Sequence, residues 1–194
     1  MPRRWAEHSD FKQLHRRIAG LKTAEIRLDL IVFRCVEPAY ANERDLLTGE
    51  GSRRHGGRWN PPGSFATVYA ACSDATALAE SKAGYFYYGL DPADAMPRTI
   101  VAIDVKIATV LDLTDPVIRK CIGLSITRMR RDDWRLLNRR GEESLTRSLG
   151  RATYLLGLEG LLAPACDGGR NLIWFPGNLA GSSNASIRNV KKLC

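Results

Sequence analysis

FATVYAACSDATALAESKAG, residues 65–84, joins two periodicities in one short stretch. Its first half, FATVYAAC, is aromatic, β-branched and small, and predicts a strand over 65–72. Ser73 then suits a helix N-cap, Asp74 suits the first turn and Gly84 suits a stop, so SDATALAESKAG predicts a helix over 73–84. A strand that runs into a helix at a single serine marks a mixed fold. The flanking sequence decides which one.

Upstream, LDLIVFRCV (28–36) is a strongly β-prone run, and DFKQLHRRIAG (10–20) predicts a helix that starts near Ser9 or Asp10 and ends at Gly20. Residues 42–64 form a polar, glycine-rich segment. Downstream, RTIVAIDVKIATVLDL (98–113) reads as one or two strands, followed by a basic helical region over 116–138. EESLTRSLGRATYLLG (142–157) predicts a helix with Leu145, Leu149, Ala152 and Leu156 on one face. GLLAPA (160–165) and NLIWF (171–175) read as short strands. Strands and helices mixed without a repeat give an α+β fold in a single compact domain, small β-sheets flanked by helices. That domain spans 1–194, with 1–27 as an N-terminal helical extension.

Composition narrows the classes. With 44% hydrophobic and 26% charged residues in 194, the chain is globular, and no apolar run approaches a membrane span. The basic start MPRRWAEHSDFKQ has no apolar run behind it, so a secretory signal is not expected. Five cysteines at 35, 72, 121, 166 and 194 show no C-x-x-C spacing. This fits a reduced, cytoplasmic protein rather than a zinc site or a disulfide framework. The net charge is +8, and Arg119–Arg151 holds ten Arg/Lys against four Asp/Glu. Such a bias favours polyanions or phosphorylated small molecules, and a merely solvated basic face fits as well. No zinc finger, RNA-binding signature or helix-turn-helix is evident, so direct DNA binding by this chain is not expected.

Chemistry concentrates in a few places. Arg34 sits mid-strand between Phe33 and Cys35, where a charge must be paired or serve a ligand; both readings fit. RRHGGRWNPPG (53–63) sets arginines and His55 around Gly56-Gly57, where a ligand can approach bare backbone. It is neither a Walker loop nor a Rossmann fingerprint. Pro61-Pro62-Gly63 reads as a turn. Glu80 points away from the Ala75/Leu78/Ala79 face of its helix, as a solvated carboxylate would. Tyr69 alone reads as a half-buried strand tyrosine.

In order, FR…GGRWNPPG…VYAACSDATALAES…GEESLTRSLGRATYLLGLEGLLAP…GGRNLIWFP resembles the RES-domain family of toxins from bacterial type II toxin–antitoxin pairs, from about Leu30 to Asn189. The resemblance implies a fold similar to ADP-ribosyltransferases and an NAD-binding cleft. It implies poisoning by cleavage of the nicotinamide–ribose bond, with water or phosphate as acceptor, or in some members ADP-ribosylation of a host protein. It implies a helix-turn-helix (Xre-type) antitoxin as partner, and a homodimer within that complex is compatible with it.

On that reading Arg34, His55, Gly57, Arg58, Trp59, Asn60 and Tyr69 form the NAD-binding wall. Arginine forks and glycine-bared N–H groups suit a pyrophosphate, and Tyr69 or Trp59 suits stacking on nicotinamide. Arg34, Tyr69, Glu80 and the position of Ala165 form the catalytic set. Glu80 would stabilise an oxocarbenium-like state. No metal is expected, because nicotinamide leaves a cationic pyridinium as a neutral molecule.

One position departs from the family pattern. The serine that gives the domain part of its name maps to Ala165, next to Cys166. Strand alternation would turn Cys166 to the opposite face. Ser182, Ser183 and Ser186 could supply a hydroxyl only by folding back into the cleft. A catalytically impaired NAD-binding relative therefore stands beside the active toxin.

Overall fold

A computed structural model describes residues 5–21 and 25–193. The parts of the N-terminal expectation at 1–4 and 22–24, and Cys194, lie outside the described residues. Eight α-helices and six strands follow in order among the described residues, with three short 3-10 turns between them. They are α1 (Phe11–Ala19), β1 (Glu25–Val36), α2 (Glu43–Leu47), α3 (Glu50–His55), β2 (Val68–Ala71) and α4 (Asp74–Tyr88). Then come β3 (Arg98–Asp112), α5 (Pro116–Ile122), α6 (Ile126–Arg131), α7 (Trp134–Arg140), α8 (Leu145–Leu155), β4 (Gly160–Pro164), β5 (Arg170–Trp174) and β6 (Asn184–Leu193).

The strands run β1-β2-β5-β4-β3-β6, and β1 also pairs with β3. Five strands thus close on themselves as two halves, β1/β3 extended by β6, and β2/β5/β4. The β1–β3 ladder is long, from Glu25↔Leu111 to Val36↔Thr99. The β1–β2 join is a single pair, Phe33↔Ala71. The two halves are held together there by very little, and a cleft opens along that join.

Alternation sorts the core. Val68, Ala70, Leu162, Leu172 and Trp174 point to one cluster together with Val32, Val101 and Ile103 of the long strands. Their neighbours Leu161, Ala163, Ile173 and Phe175 point the other way, onto Leu145, Leu149 and Ala152 of α8 and Leu14 and Ile18 of α1. This is the period-2 pattern of strands meeting the i, i+4 stripe of helices.

Several boundaries differ from the sequence reading. The helix predicted over 73–84 begins at the Ser73 cap, whose side chain accepts from Thr76 N–H at 3.1 Å, but it continues to Tyr88 and is stopped by Gly89 at φ 68°. Gly84 lies inside it. A glycine costs only about 1 kcal/mol in a helix, which packing overrides. The strand predicted over 65–72 is limited to 68–71, because the chain before it bonds to side chains. Asn60 Nδ2 donates to Phe65 O at 3.2 Å, and Thr67 N–H donates to Ser52 Oγ at 2.9 Å.

The polar segment 42–64 contains α2 and α3, each too short to show a period. The basic region 116–138 is three short helices. β6 was not anticipated. It is an edge strand rich in Asn and Lys, with weak β signal of its own. Nor is the start of the chain an appendage: Leu14 and Ile18 of α1 are core residues and β1 begins within the supposed extension.

Candidate functional site

A cleft of about 580 Å³ lies along the β1–β2 join. This is within the ordinary size of small-molecule sites. Of the residues expected in the site, Arg34, Gly57, Arg58, Trp59, Tyr69, Glu80 and Ala165 all line it. Their sequence separation reaches 131 positions between Arg34 and Ala165, so the fold assembles the site.

The floor is the loop 56–60 laid across α8. Arg147 of α8 is fully buried, and its Nε donates to Gly57 O at 2.8 Å while Nη1 donates to Asn138 Oδ1 at 2.6 Å. Its guanidinium also faces the Trp134 ring at 5.3 Å. Burial holds the Arg147 pKa below its ordinary value, opposed by Tyr69 and Asp132. Two glycines permit this closeness. A Cβ on Gly57 would strike the Tyr69 hydroxyl, and one on Gly150 would strike the Trp59 carbonyl. Tyr69 OH accepts from Trp59 N–H at 3.0 Å and donates to Asn60 Oδ1 at 2.7 Å. Burial pushes its phenol well above the usual range.

The wall opposite comes from α4 and the β4–β5 turn. Glu80 Oε1 accepts from Cys166 N–H at 2.9 Å and from Asn171 Nδ2 at 2.7 Å. The turn is tied a second time to α4, where Thr76 Oγ1 donates to Asp167 Oδ2 at 2.9 Å. Arg34 reaches in from β1. Its Nη1 donates to the carbonyls of Leu46 and, at 3.3 Å, Asp45, and burial lowers its pKa to about 10. It has no carboxylate salt bridge among the described residues, so the fork is held by peptide carbonyls rather than by an ion pair. Arg58 donates to Met129 O across the cleft, and burial lowers its pKa while Asp132 and Glu80 oppose the shift.

Three expectations change. His55 is exposed at the end of α3 and does not line the cleft. The last residue of a short helix, it points to solvent. Asn60 is fully buried and supports the loop from behind, through Ser52 O, Phe65 O and Tyr69 OH. Trp59, 5% exposed, is mostly core, which leaves little of its ring for stacking.

Cys166 does line the cleft beside Ala165. β4 ends at Pro164 and Ala165 N–H donates to Gly169 O at 2.9 Å, so 165–169 is a turn and strand alternation does not apply. Ser183 instead bonds Glu159 Oε2 at 2.7 Å, next to the strand β6 that pairs with β3. Ser186 is in that ladder.

The sequence reading missed Met129, Arg130, Trp134 and Arg135, which close the cleft from α6 and α7. Arg135 stacks over Trp134 at 4.5 Å. Their only sequence signal is a tryptophan set in a basic run. No group of three or more His, Cys, Asp or Glu among the described residues could hold a metal ion. No helix among them is long and apolar enough to cross a membrane.

A split sheet with an arginine-lined cleft and a carboxylate held across it defines a domain class. The RES-domain family model matches residues 31–189, and the chain belongs to that family. Among its relatives is the NAD(+) phosphorylase MbcT of Mycobacterium tuberculosis, 35% identical over 127 residues, which are 64% of this chain and 63% of that protein. The M. bovis protein of the same name matches to the same extent. The chain thus matches just under two thirds of the length of these relatives. The fold likeness is broader. A chain of the M. tuberculosis MbcT–MbcA toxin–antitoxin complex matches with a TM-score of 0.76 and 28% identity, over 94% of this chain and 92% of that one.

Proposed function

We propose that this chain is an NAD-consuming toxin that cleaves the bond between nicotinamide and ribose, with phosphate or water as acceptor. The observation that carries the reading is one cleft lined together by Arg34, Arg58 and the Glu80 carboxylate, in a relative of an NAD(+) phosphorylase. The guanidinium forks bind the pyrophosphate, and the Tyr69 or Trp134 ring stands beside the nicotinamide.

In the reaction the C1–N bond of the nicotinamide ribose breaks and its electron pair stays on the ring nitrogen, so nicotinamide leaves neutral. The ribose carbon passes through an oxocarbenium-like state, which the negative charge of Glu80 stabilises. An oxygen of phosphate then bonds to C1 and gives ADP-ribose 1-phosphate. With water as acceptor the products are ADP-ribose and a proton.

The chain acts in the cytoplasm and is held inactive by an antitoxin of the Xre helix-turn-helix type. A reading as a weakened NAD-binding relative rests on Ala165, which lines the cleft without the family hydroxyl.

The test is to incubate the purified chain with NAD, with and without phosphate, and to separate the products by chromatography. Nicotinamide release that quickens with phosphate, with ADP-ribose 1-phosphate as co-product, is expected for phosphorolysis. Absence of release under both conditions rejects the enzyme.

A further inference from the structure

We infer that Asn171 is a positioning residue that fixes the Glu80 carboxylate for bond cleavage, an inference that rests on the NAD-cleaving reading above. Glu80 sits on α4 and Asn171 on β5, 91 positions apart, and both line the cleft. Asn171 pairs with Ala71 of β2 on one side and Ala163 of β4 on the other, so its backbone is held by a ladder at both edges. Its neighbour on the same face, Ile173, is fully buried, which leaves Asn171 as the polar end of that face.

The geometry around Glu80 is asymmetric. Two donors, Asn171 Nδ2 at 2.7 Å and Cys166 N–H at 2.9 Å, converge on Oε1. Both of these N–H donors reach Oε1 and neither reaches Oε2, while the Cys166 thiol also lies against the carboxylate. A glutamate on a helix has three side-chain torsions to lose before its charge stands at one place. Two donors from different directions on a single oxygen remove that freedom and hold the carboxylate, which lines the cleft, in one orientation.

Charge that develops only as the glycosidic bond breaks is best stabilised by a carboxylate that need not reorganise at that moment. The amide is suited to this. It donates to the ionised carboxylate without adding a charge of its own. The Cys166 amide alone would leave the group free to swing about one contact, because that amide belongs to an exposed turn.

Such a residue acts through another, so its signature lies in the turnover number. Asn171→Asp keeps the shape, replaces the donor by an acceptor and sets a second negative charge against Glu80. Nicotinamide release should fall about ten- to a hundredfold in kcat, the range of a hydrogen bond to a charged group, with KM for NAD within about threefold. Asn171→Ser, too short to reach Oε1, should fall into the same range, and it guards against misfolding of the aspartate variant. Thermal unfolding of Asn171→Ser should stay close to that of the unchanged chain.

The decisive measurement is a cycle with Glu80→Gln, read by single-turnover product formation. If Asn171 works through Glu80, the uncharged Asn171→Ser costs less than about twofold once Glu80 is already glutamine. Equal losses in the two backgrounds, or a loss carried by KM alone, overturn the inference. An unchanged chain that releases no nicotinamide rejects the NAD reading instead. A chain that does so while both Asn171 variants keep full kcat rejects only the role of Asn171.

Discussion

The two sides of the cleft use their polar atoms in opposite ways. On the floor, Tyr69 OH, the Asn60 amide and two of the three Arg147 nitrogens all bond within the protein, and backbone meets backbone where Gly150 lies under Trp59. On the opposite wall Glu80 takes both of its N–H donors on one oxygen, from a backbone amide and a side-chain amide of other elements. The floor gives shape, while the wall presents to the cleft a carboxylate anchored through one oxygen. RRHGGRWNPPG, the stretch richest in apparent ligand chemistry, proves to be mainly scaffold: Asn60 and Trp59 face inward and His55 faces solvent.

The sharpest test of this contrast is Glu80→Gln, which should change the wall and spare the floor. The amide keeps the shape and loses the charge. We expect kcat for nicotinamide release to fall about 10²–10³-fold, or about 3–4 kcal/mol of barrier, with little change in KM or in thermal unfolding. A large KM effect with constant kcat would move Glu80 from chemistry to binding.

Gly150→Ala is the converse on the floor. Its Cβ would meet a backbone oxygen, which cannot rotate away. Overpacking of this kind should cost about 3 kcal/mol and lower Tm by about 6–12 °C. A melting temperature within 2 °C of the original would show that the loop is not pressed on α8 as described.

Ala165→Ser restores a hydroxyl on the wall. At about 1.4–2.7 kcal/mol, one new hydrogen bond to substrate should raise NAD turnover by roughly one to two decades. No gain would show that the turn has adapted to alanine. If the original chain is inert and the serine variant active, the weakened-relative reading holds.

Tyr69→Phe keeps the ring at the cleft and deletes the hydroxyl that braces Trp59 and Asn60. It should cost about 1–2 kcal/mol in stability, with kcat within a few-fold. A collapse of kcat at unchanged stability would make the hydroxyl part of the chemistry and erase the contrast.

The smallest effect concerns Cys166. The residue is exposed as a whole, but its thiol is partly sheltered on the cleft side; that partial burial, then the neighbouring Glu80 carboxylate, pushes it up to about 11. The thiol therefore keeps its proton at pH 8, and the thiolate grows about tenfold per pH unit up to that value. Iodoacetamide labelling followed by mass spectrometry should be slow at pH 8 and rise steeply towards pH 10. Removing the Glu80 charge should speed it a few-fold at fixed pH. Rapid labelling at pH 8 would mean that the turn does not stand against Glu80.

The sequence by itself determined a good part of this protein. Alternation in FATVYAAC and NLIWF, the Ser73 cap and the Leu145/Leu149/Ala152 stripe placed most elements, because these signals are local and repeat with a fixed period. The motif order also pointed to the RES-domain family and to Arg34, Arg58 and Glu80 as neighbours. Only the tertiary structure decided which side chains face the cleft. Glu80 reads as solvated on its own helix, yet β4 and β5 bring Cys166 and Asn171 against it from 86 and 91 positions away. Trp134 and Arg135 lie in a basic run that looks like plain surface until α7 folds over the cleft. β6 becomes a strand because β3 offers it a free edge. Local pattern shows which residues are apolar and how they repeat. The direction a polar group takes depends on which partner the rest of the chain brings within hydrogen-bonding distance.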